Sequence, residues 1–412
     1  MPELGEQGMK TRHIALTLLC ALGLLLALFV AACGGSDSGG TAEMSTIKIG
    51  VLNPTTGAQT QNGTDVNNGL KLYFDSIGNK VAGHPVQLIF EDDASNPQQG
   101  LERARKLIDQ DKVDLLMGVV HSGVAVGVAQ YAAERGVPCI ITCAGANALT
   151  GSEGSPYVFR TAETNSQRNL VIGWYAAAKL GYKTAAGFSW DFVAGQEHIA
   201  AFTKAFEDAG GTVTSSTLTP LPTSDFGPYL SKLDKTGLDC IWAFYASSDA
   251  IAFVQQLRQF GITPDIPVVD QGSLTEDEIL PEMGDAALGI TGTTCYTWSL
   301  DNAVNATFTK QYDPSDKKHP GWYVYQGYLG AMVAEAAIKG VDGDLSDKDA
   351  FLKALQGVSI DGPGGPFSFD DQHQAILNQY VVKVEKNSSG ELYHKVIETF
   401  EGVSQSWTPP TS

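Results

Sequence analysis

The sequence predicts an α/β protein of two Rossmann-like lobes with parallel sheets, joined by a three-stranded hinge with a ligand cleft between them. Three observations carry this expectation. From Thr46 onward, short apolar runs alternate with amphipathic helical segments, the pattern of repeated β-α-β crossovers. The alternation comes as two series of similar size, the second starting near Gln167. A block of helices then follows the second series and is left to cover the first sheet. The chain must therefore cross between lobes near 163, 298 and 375, and three crossings make a hinge. The expected lobes are 46–163 with 299–375 and 164–298 with 376–404, followed by a tail over 405–412.

The elements follow in order. Residues 47–52 (IKIGVL) form a short apolar strand, and a helix from about Asp65 to Ser76 carries Val66, Leu70, Tyr73 and Phe74 on its apolar side. PVQLIFEDD is a strand ending in acids. Ser95-Asn96-Pro97 supplies a capping side chain and a first-turn proline for the next helix, which has Leu101, Ala104, Leu107 and Ile108 at helical spacing. VDLLMGVV and PCIITCA are continuous apolar runs, as expected of parallel strands covered on both faces. Between them a helix spans about Val124 to Arg135 and stops at Gly136. The second series reads helix 167–180, strand TAAGFSW, helix 195–209, strand TVTSSTL, helix 226–236, strand DCIWAFY, helix 249–260, then strands IPVVD and GITGTTCY. Helices over 301–312, 322–340 and 346–356 follow, the last opened by a Ser346-x-x-Asp349 capping box. The end of the chain reads as a β-hairpin turning at Asn387-Ser388-Ser389-Gly390.

Composition narrows the function. The 412 residues carry 27 basic and 46 acidic side chains, a net charge of −19. That charge opposes a nucleic-acid partner, which needs a basic face, and docking on anionic lipid. One segment is apolar enough to span a bilayer: residues 14–32 (IALTLLCALGLLLALFVAA), preceded by Lys10 and Arg12. A basic start, an apolar run and small residues at its end form an export signal, so residues 1–32 are read as a signal peptide. Val30-Ala31-Ala32-Cys33 resembles the lipobox of bacterial lipoproteins, in which the Cys becomes lipidated and is the first mature residue. The Gly/Ser-rich stretch that follows makes 33–45 a flexible tether. Cys33→Ser is expected to release the protein from the membrane fraction. Met9-Lys10-Thr11-Arg12 also reads as a signal start, leaving two candidate first residues. Of the remaining cysteines, Cys139, Cys143, Cys240 and Cys295 sit in apolar strand runs and read as buried thiols. No His or Cys spacing suits a metal, and no cofactor is expected. The G-x-S-x-G, H-E-x-x-H and G-x-x-x-x-G-K-[ST] patterns are absent, so a secreted enzyme is disfavoured.

The signal, Cys33, IKIGVLNPTTG, LIFEDDASNPQQG, VPCIITCAGANALT, YVFRTAETNSQ, FEDAGGTV and TSDFGPYL, in that order and spacing, resemble the type I periplasmic-binding-protein family. The resemblance is to leucine/isoleucine/valine-type solute-binding proteins of ABC importers and covers nearly all of 46–400. It implies capture of a small carboxylate by lobe closure, with permease and ATPase subunits as partners, a lipid anchor as the one membrane contact, and a monomer without catalysis. A ligand-presenting receptor is the other reading of the same fold.

In such sheets ligands bind beyond the carboxyl ends of strands. By the family match, Ser122 donates a hydroxyl and Ala144 a backbone group to the ligand's carboxylate. Ala146 stands where amino-acid binders carry Thr or Ser, so only its N–H is left. Gln271 falls where they carry the acid that holds the ligand's ammonium, although Asp270 is one residue away. A neutral amide balances a buried ammonium poorly, which favours an amine-free aromatic or aliphatic acid over a branched-chain amino acid. CAGANALTG, DFVAGQE, WAFYASSDAIAFVQQ and YVYQGYLGA look closest to a branch associated with benzoate-like acids. Trp190, Phe192, Tyr245 and Tyr325 are candidates for an apolar pocket, His121 for a carboxylate contact, and Asn62 for the cleft wall. The carboxylate is then expected to be held by neutral donors alone.

Overall fold

The computed structural model describes residues 44–312 and 319–410. The expected signal peptide and Cys33 lie outside them. Strands are β1 Ile47–Leu52, β2 Lys80–Val81, β3 His84–Glu91, β4 Leu115–Gly118, β5 Cys139–Ile141, β6 Val158–Arg160, β7 Thr184–Trp190, β8 Thr212–Thr219, β9 Cys240–Phe244, β10 Val268–Asp270, β11 Thr291–Thr294, β12 Ser359–Gly362, β13 Gly365–Phe369, β14 Ala375–Lys386 and β15 Leu392–Val403. The longer helices are α1 Thr60–Ser76, α2 Pro97–Arg105, α3 Ser122–Glu134, α4 Gln167–Ala178, α5 Val193–Asp208, α6 Ser247–Gln259, α7 Ala303–Gln311, α8 Trp322–Gly340 and α9 Lys348–Gln356. None of the described helices is long and apolar enough to cross a membrane.

The first sheet has the order β2-β3-β1-β4-β5-β6, with β3, β1, β4, β5 and β6 parallel. The second runs β12-β13-β14-β11-β10-β9-β7-β8, with β15 on β14. Its β11, β10, β9, β7 and β8 are parallel and the C-terminal strands antiparallel. The late helices cover the first sheet: Trp322, Val324, Leu329 and Phe351 share a core with Ile49, Val66, Leu70 and Met117. β12 and β13 hydrogen-bond into the second sheet, yet Phe367 and Phe369 pack into that first core. The second sheet buries Phe188, Trp242, Phe253 and Val269 in its own core. Arg160 and Gln374 form an isolated bridge beside the crossings.

α1 and α8 cross at two reciprocal glycines. A Cβ on Gly69 would stand 2.0 Å from the Val324 carbonyl, and one on Gly327 2.1 Å from the Val66 carbonyl. Only a hydrogen at each site permits this approach.

Two expectations change, and the Asn96 cap and the buried thiols are as expected. The predicted helix 226–236 shrinks to Gly227–Leu230. Asp234 accepts from the Thr236 backbone N–H, the local turn by which Asp competes with helix. The cap of α9 is Asp347, which accepts from Ala350 N, and not Ser346. Asn96 caps α2 by accepting from Gln98 N and Gln99 N. The four cysteines in the described residues are free and buried.

Candidate functional site

The two sheets aim the carboxyl ends of their strands at one another, and the chain there closes a cavity of about 30 Å³. The first sheet's side supplies Val120 and Ser122 at the end of β4, Cys143 and Gly145 after β5, Gln59 before α1, and Trp322 and Tyr323 from α8. The second supplies Phe192 and Ala194 after β7, His198 from α5, and Phe244 at the end of β9. Asn165 and Arg168 come from the crossing into α4.

Arg168 is the dominant charge. It is 7 % exposed, and its Nε and Nη2 have no hydrogen-bond partner. Its guanidinium lies 4.2 Å from the Trp322 ring, a cation–π contact across the cleft. A planar fork with unmet donors fits a carboxylate in two parallel bonds. Around it the wall mixes aromatic side chains (Phe192, Phe244, Trp322 and Tyr323) with the polar Gln59, Ser122, Asn165 and His198. His198 Nδ1 accepts from Asn169 Nδ2 at 2.8 Å, and the ring lies against Phe244 at 4.1 Å. Burial first, then the charge of Arg168, holds His198 well below its usual range, so it is neutral.

Side chains from the two sides also meet directly. His121, the residue preceding α3, stacks on Phe192 at 4.9 Å. Burial lowers its pKa to about 4, and its Nδ1 is unpartnered. Asn62 Oδ1 accepts from Ser247 Oγ at 2.5 Å, and Glu197 Oε2 accepts from Asn147 N at 3.0 Å and Asn165 Nδ2 at 2.7 Å. A benzene-sized cavity is about 150 Å³, so a ring enters only if these walls part.

Residues 46–390 match the periplasmic binding protein family. The chain belongs to that family. It is 29 % identical over 370 residues to the Leu/Ile/Val-binding protein homolog 6 of Brucella suis biovar 1, covering 87 % of this chain and 93 % of that one. It is similar to a solute-binding protein of an ABC transporter from R. palustris in complex with benzoate. That match has 31 % identity and a TM-score of 0.80, and covers 85 % and 96 % of the two chains. A second, from Rhodopseudomonas palustris BisB5 in complex with 3,4-dihydroxybenzoic acid, has 32 % identity, a TM-score of 0.83, and coverage of 88 % and 99 %. The protein is a substrate-binding protein of an ABC transporter of the branched-chain amino acid type, with the type I periplasmic binding fold, and not an enzyme. It works outside the cytoplasm with permease and ATPase components.

The residues expected at this periplasmic binding protein's site divide into two groups. Ser122 and Phe192 line the cavity, His121 stacks on Phe192, and Asn62 joins the two sides through Ser247. The others sit elsewhere. Ala144 spends its N–H on Val119 O and its carbonyl on Arg160 Nη1, so it has no backbone donor for a ligand. The Ala146 carbonyl accepts from the same guanidinium at 2.6 Å, and Gly145 is the residue of this loop that reaches the cavity. Trp190 donates through Nε1 to Asp249, and Tyr245 packs among Phe226 and Phe253 in the second core. Tyr325 stacks on Tyr296 in the first core. Gln271 is buried beside Ser273, and its neighbour Asp270 accepts from Gly272 N and Thr275 Oγ1. Arg168 and Trp322 were not anticipated. Their signal is present: Gln167-Arg168-Asn169 is a polar triplet, buried whole, opening an otherwise apolar helix right after a crossing.

Proposed function

We propose that the protein captures a small aromatic carboxylate, with Arg168 holding the carboxylate and Phe192, Phe244, Trp322 and Tyr323 clasping the ring. The observation that carries this reading is a buried guanidinium with unmet donors in a cavity that also presents several aromatic rings. Buried guanidinium donors left without hydrogen-bond partners favour an anion that accepts from them. Ser122 stands at the first residue of α3, where helix N–H groups favour the same anion. Ligand binding bridges 46–163 and 299–375 on one side to 164–298 and 376–404 on the other, and shifts an open–closed equilibrium toward closure. The similarity to benzoate- and dihydroxybenzoate-bound proteins supports the ligand class.

The protein acts as a monomer anchored through lipid on Cys33, with residues 33–45 as tether, and hands its ligand to the permease. A thermal-shift panel of benzoate, 4-hydroxybenzoate, leucine and valine tests the ligand class. Stabilisation by the aromatic acids alone is expected. Stabilisation by leucine or valine alone refutes the reading and restores a branched-chain amino acid.

A further inference from the structure

Two helix starts meet across the cleft, one from each side. Asn62 lies in the first turn of α1, whose Val66, Leu70 and Phe74 are fixed in the first core. Ser247 is the first residue of α6, whose Ala250, Phe253 and Leu257 are fixed in the second. Asn62 is 2 % exposed, and its Oδ1 accepts from Ser247 Oγ at 2.5 Å. Each partner is tied to its own core, so this bond exists only while the two sides are together. The pair stands just past the cavity. Gln59 and Phe244 line it, and Asn62 and Ser247 follow them in the chain without lining it.

Ser247 also holds φ at +53°, in the left-handed region. A non-glycine residue takes that conformation at a cost and keeps it where its surroundings hold it. Here the Ser247 hydroxyl is engaged by the opposite side of the cleft.

We infer that Asn62 and Ser247 are positioning residues, a latch across the cleft that holds the closed form and raises affinity without touching the ligand. This rests on the closure of the two sides proposed above, and not on which acid is bound.

Apparent affinity scales with the population of the binding-competent form, so a bond made only on closure strengthens every ligand by the same factor. The bond is absent when ligand enters the open cleft and must break before ligand leaves. Its loss therefore speeds dissociation and leaves association unchanged.

The test is stopped-flow and calorimetric binding by the wild type, Asn62→Ala, Ser247→Ala and the double variant, with benzoate and L-leucine as separate probes. Each single variant should bind about three- to tenfold more weakly, the worth of one neutral hydrogen bond, with the change in the off-rate. The double variant should fall within about twofold of the weaker single one, because both remove the same bond. Ser247→Gly separates a latch from a merely structural residue. Glycine adopts positive φ freely, so the ligand-free Tm should hold or rise while affinity falls as in Ser247→Ala. Losses that multiply in the double variant, a change confined to the on-rate, or unchanged affinity in a folded Ser247→Ala overturns the latch. Binding of leucine and not of benzoate overturns the aromatic-acid reading instead, and the same comparison of variants is then read with leucine.

Discussion

Replacing Arg168 with Met keeps the length and most of the volume of the side chain while removing the charge. If the guanidinium holds the ligand's carboxylate, the loss comprises two charge-assisted hydrogen bonds at about 1.5–3 kcal/mol each. Breaking a buried ion pair from one side costs about 3–5 kcal/mol. At ~1.4 kcal/mol per decade, this weakens binding by a few hundred- to a few thousand-fold. The ligand-free protein should respond in the opposite sense. There, Arg168 is buried with Nε and Nη2 unpartnered, and its desolvation is offset by the stack on Trp322 and by longer-range attraction to Asp270 and Glu276, with no hydrogen-bonded ion pair. That stack contributes about 2 kcal/mol at most, against a desolvation cost of several. The Tm of ligand-free Arg168→Met should therefore equal or exceed that of the wild type. Calorimetry with benzoate and differential scanning of both proteins read the two halves. An affinity loss under about fivefold refutes the carboxylate role, since one charge-assisted bond alone exceeds it. A clear drop in ligand-free Tm would make Arg168 a structural residue.

Arg160 provides the contrast. It is fully buried, and its donors are met by Gln374 Oε1 at 2.7 Å, the carbonyls of Ala144 and Ala146, and Thr150 Oγ1. Arg160→Met should cost about 3–5 kcal/mol of folding stability, read by urea denaturation, because it strands those acceptors. Gly69→Ala, which places a Cβ against the Val324 carbonyl, should destabilise by about 1–3 kcal/mol by forcing α1 and α8 apart. His121 gives a pH dependence. Its folded pKa of about 4 lies below the ordinary 6.5, so its contribution is complete above 6.5 and is lost as pH falls toward 4. The loss reaches on the order of 3 kcal/mol, and it should appear as a fall in Tm between neutral pH and pH 5. In His121→Phe the fall should be smaller, with a remainder from buried His198, which titrates in the same direction.

Much of the fold was legible because its determinants are local. Continuous apolar runs at 115–118 and 139–141 became buried parallel strands, and Asn96-Pro97 became a capped helix start. Elements whose identity depends on partners were not. β6 and β12 are short and take their strand character from pairing with β5 and β13. The predicted helix at 226–236 failed because Asp234 closes a turn of its own. The site divides by the same rule. Ser122 and Phe192 follow directly from strand ends, whereas Trp190, Tyr245 and Tyr325 are aromatic in sequence but committed to cores in space. Arg168 escaped because a single Arg beside a crossing looks like solvated polar surface until the other side closes over it.

The central claim is that a guanidinium in the cleft selects an anion without an amine. Titrating ligand-stripped wild-type protein with benzoate and with L-leucine under identical conditions tests it most directly. The account predicts saturable one-to-one binding of benzoate and none of leucine, since an ammonium buried beside Arg168 meets like charge. Tight binding of leucine with no heat from benzoate would contradict it.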